Sequence, residues 1–220
     1  MTAAALDSFR RWRPLLDGLA AGVHPLRWRA AGIGAGAAAK LTANPRARRL
    51  LSLRLDWLGG NAPESPGAWP DWVAWEDADA AALLPGAELE RCGLRFGASL
   101  FRRRVALLVM GKDVAAFKAA AGADAYFFAL RQALLAKKTA GASLERVGEG
   151  ELPGSVVRAA GLGLAAWLGF LPDALAFRAA LKLPPPIDAA RTEVAAWPRE
   201  ERERWRAALA EIFSLTVPRA

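Results

Sequence analysis

Apolar residues recur every three or four positions through one stretch of the chain, and this spacing constrains the fold more than any other feature. The apolar positions are Leu89, Cys92, Phe96 and Leu100. This is the pattern of one face of an α-helix. Charged residues fall on the opposite face, namely Glu88, Arg91, Arg95 and Arg102. The pattern predicts an amphipathic helix that begins after Pro85, continues towards Met110 and packs its apolar face against other elements.

The rest of the chain favours the same kind of structure. Alanine is abundant, whereas Tyr occurs once and Ile is scarce, and this balance suits helices better than strands. Hydrophobic residues make up 54% of the sequence, enough for a substantial core. We therefore predict an all-α, or nearly all-α, compact single-domain multi-helix fold over residues 1–220. The sequence leaves one segment undecided. Val105 to Met110 is apolar on every side, so it is either buried or a short strand.

Proline, glycine and asparagine mark where helices begin and end. Asn44-Pro45 predicts a helix start, with Asn as N-cap and Pro at the first helical position. Gly122 predicts a break, and the run Pro184–Pro186 predicts a firm stop. Two further predictions are a single helix over 27–40 and an N-cap at Asp113.

Two segments predict irregular structure. Residues 59–75 hold three Pro, three Gly and three Trp, which predicts an ordered loop held by aromatic side chains. Residues 139–154 are polar and Gly-rich, which predicts a second loop.

Cysteine content and hydropathy favour a cytoplasmic protein. The chain has one cysteine, Cys92, so an internal disulfide framework is excluded and a reducing compartment is expected. Residues 1–14 are basic without a following apolar stretch, unlike a secretory signal. The longest uncharged run, 159–172, is shorter than the roughly 20 residues that cross a bilayer.

Charge is distributed in alternating blocks. The net charge is +8, but residues 1–60 carry ten basic and three acidic groups, and residues 61–90 carry seven acidic groups and no basic one. Residues 91–140 then carry ten basic and two acidic groups. A dedicated nucleic-acid binder usually concentrates positive charge without an acidic block between. Alternating blocks suit pairing within the fold or with charged proteins, although Arg-rich composition also follows from a GC-rich genome.

The sequence offers no constellation of catalytic, cofactor-binding or metal-ligating residues. His24 is the single histidine, and a nucleophile–base pair with Cys92 is disfavoured because Cys92 lies on the apolar helix face. The glycines at 32, 34 and 36 lack the spacing and the preceding strand of a dinucleotide-binding loop. We therefore predict a protein that is not an enzyme and uses no cofactor.

Two groups of residues are candidates for a partner interface. The first is the basic set Arg91, Arg95, Arg102, Arg103 and Arg104, for which the competing interpretation is a solvated helix face. We hypothesise that these arginines face an acidic partner surface. The second is Trp69 and Trp72, which either hold the 59–75 loop together or anchor a partner, since Trp is enriched at interface hot spots.

Four short motifs, in order along the chain, resemble the SctK family of bacterial type III secretion systems. They are the turn His24-Pro25-Leu26, then Leu83-Leu84-Pro85 with the helix LERCGLRFGASLFRRRVALLV, then Asp124-Ala125-Tyr126 leading into FALRQALL, and finally WLGFLPDALAFRAALKLPPP. The resemblance covers most of the chain, is closest to Hrp-type members and leaves the 59–75 loop unmatched. None of the motifs is catalytic.

The resemblance implies a cytoplasmic accessory protein of the sorting platform. SctK-like proteins connect the cytoplasmic domain of the inner-membrane ring protein SctD to the SctQ pods, which hold the SctL stator and the SctN ATPase. The resemblance therefore implies that the secretion apparatus holds the protein at the cytoplasmic face of the inner membrane. The alternative function is a basic helical nucleic-acid-binding protein, favoured by the sequence pI near 10.5 and by Arg–Trp interleaving near the N-terminus.

Overall fold

A computed structural model of the chain describes residues 20–52, 80–134 and 150–215, together with positions 10 and 147. Over these residues the fold is all-α, as predicted. The predicted 59–75 loop, including Trp69 and Trp72, lies outside the described residues.

The described helices, in chain order, are α1 (Pro25–Ala30), α2 (Ala35–Ala43), α3 (Pro45–Ser52), a 3₁₀ helix (Ala80–Leu83), α4 (Gly86–Leu100), α5 (Arg102–Ala106), α6 (Gly111–Ala121), α7 (Ala123–Leu134), α8 (Leu152–Leu168), α9 (Asp173–Leu181), α10 (Pro186–Ala195) and α11 (Arg199–Ser214). The chain divides into two compact units. Unit 1 comprises residues 1–86 and 168–189, and unit 2 comprises 87–167 and 190–220. That residues 1–220 form a single domain stays a prediction.

Unit 1 packs its short helices through main-chain and side-chain hydrogen bonds. Helix α1 contacts α2, α2 contacts α3, and the 3₁₀ helix contacts α9. The buried Arg27 donates from Nε to the carbonyl oxygen of Leu183 at 2.9 Å. Its two terminal nitrogens donate to the carboxylate of Asp188 at 2.9 and 3.1 Å. This bidentate pair links α1 to the first turn of α10 and neutralises a buried guanidinium.

Unit 2 is built on a close contact between α4 and α8. Gly97 lies against the main chain of α8, where an added Cβ would be 2.2 Å from the carbonyl oxygen of Val156. Phe96, next to it, fills the space left by Gly163, and Trp205 of α11 contacts its ring edge-on at a centroid distance of 5.5 Å. Small residues therefore let two helices approach closely, and aromatic side chains fill the core around them.

Several helix boundaries match the sequence prediction. The side chain of Asn44 caps α3, because its Oδ1 accepts hydrogen bonds from the main-chain nitrogens of Arg46 and Ala47 at 2.9 and 3.1 Å. Gly122, with a φ of +85°, separates α6 from α7. Helix α9 ends at Leu181, and α10 begins at Pro186.

Other boundaries were wrong. The predicted single helix over 27–40 is two helices, separated where Gly32 adopts a φ of +77°. Helix α6 begins at Gly111 with Met110 as its N-cap, so Asp113 lies in the first turn. Most of the predicted 139–154 loop lies outside the described residues, and its end was placed too late, because α8 begins at Leu152.

The largest error concerns Val105 to Met110. No strand is present, and of the six residues only Val105 is buried: Val105 and Ala106 end α5, and the following residues form a turn. The exposed fractions of Leu107, Val109 and Met110 are 75%, 87% and 58%. An apolar run therefore lies on the surface of unit 2.

Candidate interaction surfaces in unit 2

The five candidate arginines divide into two sets with different roles. On α4, Arg91 forms an ion pair with Glu88, one turn earlier on the same helix. Arg95 donates from Nε and Nη2 to the two carboxylate oxygens of Asp124 at 2.7 and 2.8 Å. These two arginines already have acidic partners within unit 2, so the hypothesis of an external acidic partner is left to the arginines of α5.

The Arg95–Asp124 pair joins α4 to the first turn of α7. The Arg95 guanidinium also lies 5.5 Å from the centroid of the Phe128 ring. The hydrogen bond from Arg95 lowers the pKa of the Asp124 carboxyl below its ordinary value, against the opposing effect of desolvation. Because the folded-state pKa is lowered, the pair stabilises unit 2 above the unfolded pKa near 4, and that contribution is lost as pH falls through the folded pKa.

We expect Asp124→Asn to lower the free energy of unfolding by about 1 kcal/mol at pH 7, a modest value because Asp124 is partly solvated and water screens the pair. The difference from wild type should shrink below about pH 4, where the wild-type carboxyl also becomes protonated. Urea unfolding at several pH values measures both effects. The matched control is Glu88→Gln, which removes the more exposed Arg91 pair and should change stability by less than about 0.5 kcal/mol. An equal loss at pH 3 and pH 7 would contradict this account.

The arginines of α5 differ from those of α4 in their contacts and exposure. Arg102 is half-buried and donates from Nη1 to the carbonyl oxygen of Ser99 at 3.2 Å. Arg103 and Arg104 are exposed, and the Arg104 guanidinium lies 5.6 Å from the centroid of the Phe101 ring. They immediately precede the exposed apolar turn, so the structure places positive charge beside apolar surface.

We define the basic–apolar tip as Arg103, Arg104, Leu107, Val109, Met110 and Lys112. Its base is fixed, because Val105 is fully buried and both flanking helices, α5 and α6, pack against α7. The main-chain nitrogens of Leu107 and Leu108 donate to the carbonyl oxygens of Arg104 and Val105 at 3.2 and 3.1 Å. The residues that flank the tip are therefore packed into unit 2.

A second exposed surface runs along α7. Phe127 and Leu134 have exposed fractions of 51% and 85%, and Arg131 between them is also exposed. Their spacing of four and three residues places all three on one helical face. We call this set the α7 stripe. Sequence reasoning placed Phe127 and Leu134 in a helix without distinguishing them from the core, although the polar residue Arg131 at the intermediate position was a usable signal.

A surface cleft of about 280 Å³ also occurs in unit 2. Residues of α4, α6 and α7 line it, among them Arg91, Asp124 and Gly122. Neither the basic–apolar tip nor the α7 stripe contributes to its wall. Two of its three charged side chains, Arg91 and Asp124, form the ion pairs described above, and the third is Glu90.

The two residues considered for nucleophilic chemistry have structural roles. His24 caps α1, where its Nδ1 accepts a hydrogen bond from the main-chain nitrogen of Leu26 at 3.2 Å. Cys92 is fully buried on α4. Within the described part of the chain, no group of three His, Cys, Asp or Glu side chains is placed to hold a metal ion.

No family model, curated protein or solved structure matches this chain. Among the described helices, none has the length and hydropathy required to cross a membrane.

Proposed function

We propose that this chain is a non-enzymatic adaptor of a bacterial type III secretion sorting platform, linking an SctD-like ring protein to SctQ-like pods. This function comes from the ordered resemblance to the SctK family. In that role the protein would be cytoplasmic and held at the inner membrane through the secretion apparatus. SctL-like and SctN-like components would be reached indirectly, through the pods.

The α7 stripe is the structural observation that supports a protein-binding role. A half-exposed Phe and a largely exposed Leu on one helical face form a shared apolar surface, and covering it with a partner removes that surface from water. Residues spaced by four and three positions are the anchors by which one helix docks into an apolar groove or onto another helix. The exposed Arg131 between them supplies a directional ion pair or hydrogen bond to the partner.

The test is affinity capture of the tagged full chain from its own bacterium, with and without nuclease, followed by mass spectrometry. We expect ring and pod components to be recovered equally in both conditions. Phe127→Ser combined with Leu134→Ser should reduce the recovery of at least one component by about tenfold or more, because truncating a hot-spot residue costs about 2 kcal/mol or more.

The matched control is Val157→Ser combined with Leu215→Ser. These residues are also exposed and apolar in unit 2, with exposed fractions of 44% and 64%, but they lie outside α7. The control should recover partners at the wild-type level. Recovery of nucleic-acid-associated proteins that disappear with nuclease, without ring or pod components, would support the nucleic-acid-binding alternative instead.

A further inference from the structure

The basic–apolar tip has features that a protein-docking surface does not require. Leu107, Val109 and Met110 lie within four residues of chain and are exposed, and none of them lines the cleft formed by α4, α6 and α7. Protein hot spots usually lie in well-packed pockets where neighbouring side chains exclude water. A projecting set of apolar side chains can be covered by a surface that closes around it, as the lipid interface does.

Within the tip, positively charged residues flank the apolar residues on both sides in sequence. Arg103 and Arg104 precede the apolar residues, and Lys112 follows them, all three exposed. Between Glu90 and Asp113 the sequence contains no acidic residue. Asp113, in the first turn of α6, is the nearest carboxylate in sequence, and the three exposed cations outnumber it.

We infer that the basic–apolar tip inserts into the interface of an anionic lipid membrane. Leu107, Val109 and Met110 would enter the boundary between headgroups and acyl chains, where their apolar surface leaves water. Arg103, Arg104 and Lys112 would lie at the level of the lipid phosphates, with which guanidinium groups form bidentate hydrogen bonds. On either side of the tip the chain is held by the buried Val105 and by the packing of α5 and α6 against α7.

This contact goes beyond the proposed adaptor role and is independent of it. The α7 stripe would bind protein, and the tip would bind lipid. The tip would enter only the interface of the bilayer, because three side chains on a turn are too short to reach further.

The first test measures binding of the purified full chain to vesicles by flotation. The probes are vesicles of phosphatidylcholine alone and vesicles with about one-third phosphatidylglycerol. We expect binding to the anionic vesicles to be at least about tenfold stronger and to weaken as salt is raised. Arg103→Glu with Arg104→Glu should remove the preference, whereas Lys40→Glu with Arg131→Glu, two exposed cations outside the tip, should reduce binding by less than about threefold.

The apolar contribution is tested separately. Leu107→Ser, Val109→Ser and Met110→Ser in combination should weaken binding by at least about tenfold, and the α7-stripe variant Phe127→Ser with Leu134→Ser should leave it unchanged. All of these positions are exposed, so each variant is expected to fold. Circular dichroism verifies this before the vesicle measurement.

Insertion itself has a direct signature. Cys92, the single cysteine of the chain, is fully buried, so Val109→Cys creates one accessible thiol for an environment-sensitive dye. We expect the dye emission to shift to the blue on anionic vesicles and not on phosphatidylcholine alone. The proposal is overturned if wild type does not bind anionic vesicles or if the dye at position 109 stays in water. It is equally overturned if reversing Arg103 and Arg104 abolishes capture of ring or pod components while vesicle binding is unaffected, since the tip is then a protein contact.

Discussion

Gly97→Ala is expected to lower the free energy of unfolding by about 3 kcal/mol. The added Cβ would lie 2.2 Å from the carbonyl oxygen of Val156 and 3.1 Å from the main-chain nitrogen of Ala160. A main-chain atom cannot rotate away as a side chain can. Helices α4 and α8 would have to separate, and the loss of packing exceeds the roughly 1 kcal/mol that Ala gains over Gly in a helix.

Urea unfolding followed by tryptophan fluorescence measures this effect, because Trp167 and Trp205 are fully buried in unit 2. The matched control is Gly161→Ala, on the same helix α8, where an added Cβ meets nothing within 4 Å. That variant should be unchanged or more stable by up to about 1 kcal/mol, since only the helix propensity changes. If the two variants proved equally stable, the close approach of α4 and α8 would be wrong.

The second large effect is a pH dependence that comes from Lys182. This side chain is buried, with 6% exposed, and its Nζ donates to the carbonyl oxygens of Ala82 and Leu84 at 2.8 and 3.0 Å. Burial lowers the pKa of the Lys182 ammonium to about 8, compared with about 10.4 for an unfolded lysine. The carbonyl oxygens accept hydrogen bonds, but neither carries the full negative charge that would offset desolvation.

The direction of the pH dependence follows from proton binding in the two states. Between about pH 8 and 10.4 the unfolded chain retains a proton that folded Lys182 has released, so stability rises with pH over this range. The rise attributable to Lys182 is about 3 kcal/mol. Below about pH 8 both states are protonated, and the full cost of burying the charge remains.

Chemical unfolding at pH 7, 8, 9 and 10 tests this prediction. In Lys182→Met the contribution should be absent, and the difference in stability between wild type and variant should change by about 2 kcal/mol or more across the range. Groups that titrate in both proteins cancel from this difference. Lys112→Met, at an exposed lysine of unit 2, should keep the wild-type slope. An unchanged slope in Lys182→Met would mean that the ammonium is not desolvated.

Lys182 shows what the sequence alone could not predict. The pattern around Lys182 is that of an ordinary helix end followed by prolines, where a lysine is expected to be solvated. Its burial depends on the 3₁₀ helix, which lies about one hundred residues earlier in the chain and packs against α9. The Arg95–Asp124 pair is similar, because its members are separated by 29 residues and come together only when α4 and α7 pack.

The prediction for Val105 to Met110, the run that contains the apolar residues of the basic–apolar tip, was wrong for a different reason. Six consecutive apolar residues normally predict burial, and hydropathy alone does not show whether an element will cover them. In the structure α5 ends after five residues, so the chain turns outward while only Val105 reaches the core. The flanking arginines and Lys112 were the available sign that this run is directed towards solvent.

The sequence by itself determined the helical class, the buried positions Leu89, Cys92 and Phe96, the capped start of α3 and the breaks at Gly122 and after Leu181. These features depend on local periodicity, on side-chain capping and on the restricted backbone angles of Gly and Pro, all of which act within a few residues. The tertiary structure alone decided which arginines are neutralised, where a lysine loses its water and which apolar residues stay exposed. Those outcomes depend on which helices pack together, and packing joins residues that the sequence keeps far apart.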